Sequence, residues 1–155
     1  MSSEKSTLYD GTIAVAIGSL KALAHIVSVA EAHPNSAIFL SARLLLAKML
    51  GLEPVEYDED SLTSYADMKT RLDEVIKTLE GVDKEVINTR SASSVTVGVG
   101  ENKPRVTLST PAYAYSAALP NIYFHVCMAY AILRSRGVPL GKSDYMDSFF
   151  APYAS

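Results

Sequence analysis

The stretch NIYFHVCMAYAILRSR occupies residues 121–136, between Pro120 and Gly137. Proline is favoured in the first turn of a helix, and glycine is favoured just past the last one. Arg134 and Arg136 lie near its end, and positively charged side chains are favoured at the C-terminus of a helix. The stretch therefore predicts a helix over 121–136. Because residues 112–119 are also compatible with a helix, Pro120 either starts a new helix or kinks a longer one.

Two helices are predicted towards the N-terminus. Residues 10–32 repeat apolar side chains at spacings of three and four, and Asp10 stands where an N-cap is expected. Residues 37–50 are apolar on nearly every side, which is typical of a helix buried in a core or in a subunit interface. Both patterns favour a helical bundle.

A third upstream helix is predicted over residues 64–79. It carries one apolar stripe, a rough capping box between Ser64 and Asp67, and Gly81 just after its end. Residues 84–111 then lose the helical period. Alternation over 93–100 and strand-forming residues at 105–109 predict a β-hairpin, inserted at 88–111 before the last helix.

Composition indicates one globular domain over residues 1–155, with 48% apolar and 20% charged residues. Its polar start, residues 1–8, is expected to form a tail. Residues 138–155 carry several aromatics and are expected to pack on the bundle. A net charge of −3 argues against nucleic-acid binding. No signal or membrane span is predicted, so the expected location is the cytoplasm, with the nucleus equally compatible.

The three histidines are the first candidates for metal ligands. His25 and His33 are eight residues apart, which is not the spacing of a chelating pair on a helix. His33 precedes Pro34 and is expected at a helix end. His125, among aromatics on the last helix, is the strongest candidate for a functional imidazole, and His25 is a weaker one.

Tyrosine is the other distinctive residue, with nine copies and no tryptophan. Tyr113, Tyr123 and Tyr130 cluster on or before the last helix, where they are either core residues with hydrogen-bonded hydroxyls or the lining of a pocket. Together with Asn121, His25 and His125, these three tyrosines form the candidate ligand pocket. The single cysteine, Cys127, is expected to be a buried, inert thiol.

Three segments of the C-terminal half carry a family resemblance. The segments LPNIYFH at 119–125, AYAILR at 129–134 and GVPLGKSDY at 137–145 resemble the signature of an uncharacterised DUF family of short fungal and bacterial proteins. Shorter matches lie in the N-terminal half. The resemblance implies a relationship to the DinB/YfiT-like superfamily and an all-α, four-helix bundle, here with a small β-hairpin before the last helix.

The resemblance also bears on metal chemistry. The superfamily includes metal-binding proteins and thiol-dependent transferases that use three histidines from different helices. The position that would follow His125 in a late-helix H-x-x-x-H motif is Ala129 in this sequence. Relatives also carry an extra stretch between the positions equivalent to Leu44 and Leu45, which implies that the second helix is shortened here by a splice form, a gene-model choice or a deletion.

Two functional hypotheses follow from these residues. The first is a small-ligand-binding or interaction module without an intact metal site and without a cofactor; a small apolar or aromatic ligand would suit it. The alternative is a Zn- or Ni-dependent transferase or hydrolase in which His125 survives as a ligand. The apolar second helix and the open hairpin edges further predict a homo-oligomer, most simply a dimer, with no nucleic-acid or membrane partner.

Overall fold

The computed structural model describes residues 7–31, 64–98 and 104–153. The predicted second helix at 37–50, the hairpin turn and His33 lie outside these residues. The described chain is mostly helical, with one two-stranded hairpin. Its elements in chain order are α1 (Leu8–Glu31), α2 (Tyr65–Glu80), α3 (Lys84–Thr89) with a 3₁₀ turn (Arg90–Ala92), β1 (Ser94–Gly98), β2 (Arg105–Ser109), α4 (Thr110–Ser135), and α5 (Lys142–Phe150) with a 3₁₀ turn (Ala151–Tyr153).

The first helix begins two residues earlier than the sequence pattern predicts. Thr7, and not Asp10, caps it: the Asp10 backbone N–H donates to Thr7 Oγ1 at 3.2 Å. Asp10 accepts in return from the Thr7 backbone N–H at 3.1 Å. The predicted N-cap was therefore wrong, because Asp10 is the acidic member of a capping box opened by the threonine hydroxyl.

The helices α1 and α2 run antiparallel. Lys21 pairs with Glu80 at 2.6 Å, and Lys69 pairs with Glu31 at 2.8 Å, so the end of each helix lies beside an earlier part of the other. The predicted cap of α2 is confirmed, since Ser64 Oγ accepts the Asp67 backbone N–H at 3.2 Å and Gly81 follows the last turn.

The region between α2 and the hairpin is more helical than expected. Residues 84–89 form α3, capped by Asp83, whose carboxylate accepts two backbone N–H groups. A six-residue helix is too short to display a period, which is why the pattern missed it. The predicted hairpin is confirmed: β1 and β2 pair antiparallel with Ser94 opposite Ser109 and Gly98 opposite Arg105.

The fourth helix is continuous through Pro120. Its residues 110–113 are α-helical, Ala114–Ala118 form a π-helical turn, and Leu119–Ser135 are α-helical again. Proline lacks an N–H and crowds the carbonyl one turn earlier, so a wider turn before it lets the helix continue. Pro120 therefore neither starts a separate helix nor ends one.

Gly137 ends α4 as predicted from the sequence. Its φ of +91° lies in the left-handed region. The Val138 N–H reaches the Leu133 carbonyl at 3.2 Å, and the Gly137 N–H reaches the Arg134 carbonyl at 3.1 Å. These are the two bonds of a Schellman ending, which turns the chain back towards α1.

The C-terminal helix α5 packs along α1. An added Cβ at Gly18 would lie 3.3 Å from the Phe149 ring, and His25 bonds Asp144 at 2.8 Å. Because the earlier residue of α1 meets the later residue of α5, the two helices are antiparallel. No residue of α5 is fully buried, so it lies on the surface of the bundle.

The core lies between α1, α2 and α4. In α1 it holds Ile13, Leu20, Leu23 and Ile26, each at most 1% exposed. The other helices contribute further core residues, among them Leu72, Ile76 and Leu79 of α2 and Tyr113, Ile122, Val126 and Leu133 of α4. Burial of this apolar surface is the main stabilising term of the described fold.

Two described helices, α1 and α4, are long and apolar enough to cross a membrane by length and composition. Core helices of bundles meet the same condition, and 56% of the α1 window is buried inside the fold. The expected absence of a membrane span and the expected cytoplasmic location therefore stay predictions.

Candidate functional site

Two polar side chains, Cys127 on α4 and Tyr145 on α5, come together at the C-terminal side of the fold. The thiol of Cys127 is 4.0 Å from the Tyr145 hydroxyl, at the limit of a weak sulfur hydrogen bond. The Tyr145 ring packs on Phe149 with 5.5 Å between ring centroids. Tyr123 lies close enough to influence the ionisation of Tyr145. The Cys127 thiol and the Tyr145 hydroxyl thus form a pair beside the Phe149 ring, and we call this pair with the nearby Tyr123 the α4–α5 cluster.

The pKa values of the two tyrosines in this cluster are raised, which favours their neutral forms. Burial, followed by the neighbouring Cys127 and Tyr123, raises the pKa of Tyr145 to about 12. Burial also raises the pKa of Tyr123. A phenol with such a pKa stays protonated at neutral pH and cannot accept the thiol proton. The cluster can donate hydrogen bonds, but its tyrosines do not activate Cys127 as a nucleophile.

The predicted burial of Cys127 was wrong, because the residue is exposed. It occupies the border between the side of α4 that faces α5 and the side that faces outward. Seven steps of about 100° separate Cys127 from Pro120 and place it roughly 20° away around the helix, among the exposed positions. A free cysteine is usually buried, which is why a core position was predicted. In the structure Cys127 contacts Tyr145 of α5 and still remains exposed.

Among the residues that the structure describes, His25 contacts a carboxylate and no second histidine. Its Nε2 lies 2.8 Å from Asp144 Oδ1, and Asp144 Oδ2 accepts the Gly141 backbone N–H at 2.7 Å. The Gly141 N–H, followed by His25, lowers the pKa of Asp144. Asp144 therefore caps α5 and also ties it to α1.

Tyr130 holds the chain that leads into α5. Its hydroxyl accepts from Arg134 Nη1 at 2.8 Å and lies 3.5 Å from the Leu140 carbonyl oxygen. Arg134 Nη1 donates to the same carbonyl at 2.5 Å. The hydroxyl of Tyr130 is therefore engaged with the segment that connects α4 to α5.

The other predicted pocket residues lie apart from this cluster. His125 is half-buried, with its ring edge-on to Phe124 at 5.5 Å between centroids. Asn121 is also half-buried, one turn earlier on α4. Tyr113 is 1% exposed, and burial raises the pKa of its hydroxyl. Of the six predicted residues, the structure brings Tyr123 to the α4–α5 cluster and His25 to Asp144.

The outward side of α4 is apolar and exposed. We call Phe124, Met128, Ala131 and Ile132 the outer face. Phe124 is 60% exposed, and Met128 and Ile132 are each 43% exposed. From Pro120 to Ile132, every exposed residue of α4 is uncharged. This is the largest group of exposed apolar side chains on any one described helix.

The described residues do not fit a three-ligand metal centre. Nowhere within residues 7–31, 64–98 and 104–153 do three histidine, cysteine, aspartate or glutamate side chains converge. His25 and Asp144 make a pair, whereas His125 contacts Phe124. A catalytic zinc site requires three protein ligands around one ion. In the described structure, His25 lies beside Asp144 and His125 lies beside Phe124, so these two histidines do not face a common ion.

A small cavity lies where the starts of α1 and α4 meet. It holds about 10 Å³, and its lining includes Leu8, Thr12 and Ala114. That volume is about the size needed for a water molecule. It does not hold a drug-sized apolar ligand.

Several of these features were missed from the sequence. Tyr145 and Asp144 were read only as part of a packing tail. The outer face had a signal, since apolar residues at 124, 128 and 132 are spaced four apart, beside the core residues 122, 126, 129 and 133. An apolar helix with two apolar sides indicates a second contact surface.

A solved structure has a fold similar to that of this chain. A crystal structure of a DinB family member protein from Shewanella denitrificans matches with a TM-score of 0.71 and 27% identity, over 90% of this chain and 91% of that one. The predicted DinB-like helical fold with its small hairpin is thereby confirmed. Among curated proteins, no relative matches.

A family model describes most of the same region. Residues 37–146 match the family described as "Domain of unknown function (DUF1993)". This confirms the predicted relationship to an uncharacterised family with a DinB-like fold. The chain belongs to the DUF1993 family of domains of unknown function.

Proposed function

We propose that this protein is an interaction module that works without an intact metal site. The observation that carries the proposal is the outer face of α4, with Phe124, Met128 and Ile132 exposed side by side at spacings of four residues. Exposed apolar groups of this kind mark contact surfaces in soluble proteins. Their regular spacing on one rigid helix supports a surface that another helix or sheet can pack against.

The polar groups support the same proposal. His25 is engaged with Asp144, and the hydroxyl of Tyr130 is engaged with the chain between α4 and α5. In the α4–α5 cluster, the tyrosines are protonated at neutral pH and offer no base to Cys127. These contacts are those of a scaffold that fixes α5 against the bundle.

The alternative, a Zn- or Ni-dependent transferase or hydrolase, has less support. It needs His125 and two further ligands around one ion. Within the described part of the chain, the ring of His125 lies against Phe124, and His25 lies at α5. A small apolar or aromatic ligand stays a second candidate for the same module, since the tyrosines of α4 would suit one.

Chemical unfolding of the purified chain tests the proposal. Met128→Lys places a charge on the outer face, and Val86→Lys on α3 is the matched control, because Val86 is 49% exposed and Met128 is 43% exposed. If the face serves binding, both variants keep the stability of the wild-type monomer to within about 0.5 kcal/mol. A loss of several kcal/mol in Met128→Lys alone would show a core position and overturn the proposal.

Metal analysis tests the second half of the proposal. We expect substoichiometric Zn and Ni in the purified protein, and a midpoint of thermal unfolding that a chelator leaves unchanged. Stoichiometric metal that His125→Ala removes would contradict the proposal and support the transferase or hydrolase. Tyr130→Phe on the same helix keeps the histidines and serves as the control.

A further inference from the structure

We propose that the C-terminal helix α5 is a hinged flap on α1, and that the contact between His25 and Asp144 closes this flap more tightly when His25 is protonated. The flap covers a surface of α1 and not the outer face of α4, so the two proposals succeed or fail separately. Three observations support it: how the chain is anchored before α5, how α5 is attached along α1, and which charges lie around His25.

The chain is firmly anchored up to the residue before the flap. Val138 and Leu140 are 3% and 4% exposed, so both side chains lie in the core. The Leu140 carbonyl oxygen also accepts from Arg134 Nη1 at 2.5 Å. Gly141 then joins this anchored segment to Lys142, the first residue of α5. Because hinges lie at a few residues at the ends of elements, we expect α5 to move about Gly141.

The helix beyond this joint is attached more weakly than the others. No residue of α5 is fully buried, and its polar contact with α4, between Tyr145 and Cys127, is 4.0 Å long. Towards its end, the Phe149 ring lies against α1, where a Cβ added to Gly18 would be 3.3 Å from it. Segments that bury few side chains open locally at a lower free energy than the core. We therefore expect α5 to open while the rest of the bundle stays folded.

One charged contact fixes the first turn of α5 to α1. His25 Nε2 lies 2.8 Å from Asp144 Oδ1, and Asp144 Oδ2 accepts the Gly141 backbone N–H. Half of the His25 side chain and 22% of the Asp144 side chain are exposed, so protons from the solvent reach the contact. A protonated imidazole adds the attraction of opposite charges to the hydrogen bond. Protonation of His25 therefore strengthens the attachment of α5.

Of the two groups in this contact, the imidazole is the one whose charge we expect to change near neutral pH. Histidine side chains ordinarily gain or lose their proton between pH 5 and 8. The Gly141 N–H, followed by His25, holds the pKa of Asp144 below its usual 3.8, so the carboxylate stays ionised across that range. Burial raises the pKa of the neighbouring Tyr145 to about 12, so its hydroxyl stays neutral.

The other charged residues that the packed elements carry near this level are more distant or already paired. They are Lys21 on α1, Asp73, Lys77 and Glu80 on α2, Arg134 on α4, and Lys142 and Asp147 on α5. Lys21 and Glu80 pair with each other at 2.6 Å. Salt screens charges that lie on the surface without direct contact. Asp144, at hydrogen-bonding distance, is therefore the dominant charge beside His25.

Hydrogen exchange of the full chain, followed by mass spectrometry, tests the inference. Exchange is compared at about pH 5 and about pH 8, the limits of the ordinary histidine range, after correction for intrinsic rates. We expect the amides of α5 to be about two- to fivefold better protected at the lower pH, which is the range that an exposed ion pair supplies. Amides of α2 are the internal reference and should show no such difference. Equal protection of α5 at both pH values would overturn the inference.

Three variants identify the contact responsible. His25→Gln keeps a hydrogen-bonding side chain without a titrating charge, and Asp144→Asn removes the carboxylate, so both should abolish the pH dependence of α5 protection. Asp147→Asn makes the same change of charge at an exposed position of the same helix and should keep that dependence. A pH dependence that survives in His25→Gln would assign it to another group and refute the proposed contact.

The far end of α5 tests the hinge separately. Gly18→Ala places a methyl group against the Phe149 ring and should speed the exchange of α5 at both pH values without changing their ratio. The amide of Val138, which bonds the Leu133 carbonyl oxygen before the hinge, should keep its protection. Exchange that rises equally in α5, at Val138 and in α2 would show that α5 opens only when the whole chain unfolds, and the flap would be ruled out.

Discussion

The two sides of α4 have nearly the same chemistry and opposite surroundings. The inward side carries Ile122, Val126, Ala129 and Leu133, each at most 2% exposed. The outward side carries Phe124, Met128 and Ile132, which are 43–60% exposed. The hydropathy of a residue therefore does not decide its burial in this helix. Burial depends on which neighbour lies opposite, and α1 lies opposite the inward side.

The difference can be tested by truncating one residue on each side. Leu133→Ala should lower the free energy of unfolding by about 2–5 kcal/mol, because it leaves a cavity among packed residues. Met128→Ala, measured at a concentration where the protein is monomeric, should cost less than about 1 kcal/mol. Urea denaturation of both variants gives the comparison, and equal losses would show that the two sides are buried alike.

The next largest effect on stability concerns the turn at Gly137, which follows α4 and returns the chain to the core. Gly137→Ala should lower stability by about 1–2 kcal/mol, because alanine disfavours the left-handed φ of +91° that turns the chain towards buried Val138 and Leu140. Gly81→Ala is the matched control, since Gly81 follows α2 with a φ of −81°. Thermal unfolding distinguishes them, and similar losses in both would argue against the turn at Gly137.

The smallest effect concerns the polar attachment of α5. Asp144→Asn should cost about 0.5–1 kcal/mol at neutral pH, the usual worth of a capping contact. Because the folded protein holds the pKa of Asp144 below its usual 3.8, the contribution is present above that value and is lost as pH falls through the lowered one. The difference from wild type should therefore shrink in strong acid.

The control for this measurement is Asp147→Asn on the same helix, because Asp147 is exposed. Urea unfolding of both variants at neutral pH and at several acidic pH values gives the profile. A loss in Asp144→Asn that does not change with pH would show that the ionised carboxylate is not what ties α5 to α1.

Much of the described fold was predictable from local patterns. The period of three and four marked α1, α2 and α4, and the capping pair at the start of α2 and the glycine after α4 marked their ends. Alternation at period two marked the hairpin. These signals work because each reports a local requirement, such as a buried stripe or an unsatisfied backbone group.

Other elements gave weaker signals. Helix α3 is only six residues long, and α5 buries no residue fully, so neither shows a strong apolar stripe. Asp10 and Thr7 are both capping residues by type, and only the hydrogen bonds show that the threonine caps α1. The π-helical turn before Pro120 arises where a continuous helix must accommodate a proline.

The candidate site depended on long-range packing. His25 and Asp144 are 119 residues apart, and Cys127 and Tyr145 are separated by the turn at Gly137. Nothing in the local spacing pairs them. Tyr130, predicted as a possible pocket residue, instead contacts the chain between α4 and α5.

The sequence by itself determined where the main described helices and the hairpin lie, since periodicity and caps are properties of neighbouring residues. It also determined that α4 is apolar around most of its circumference. Only the tertiary structure decided which apolar side is buried, because burial requires a partner surface from elsewhere in the chain. For α4, that partner is α1 on one side, and no described residue fills the same role for Phe124, Met128 and Ile132.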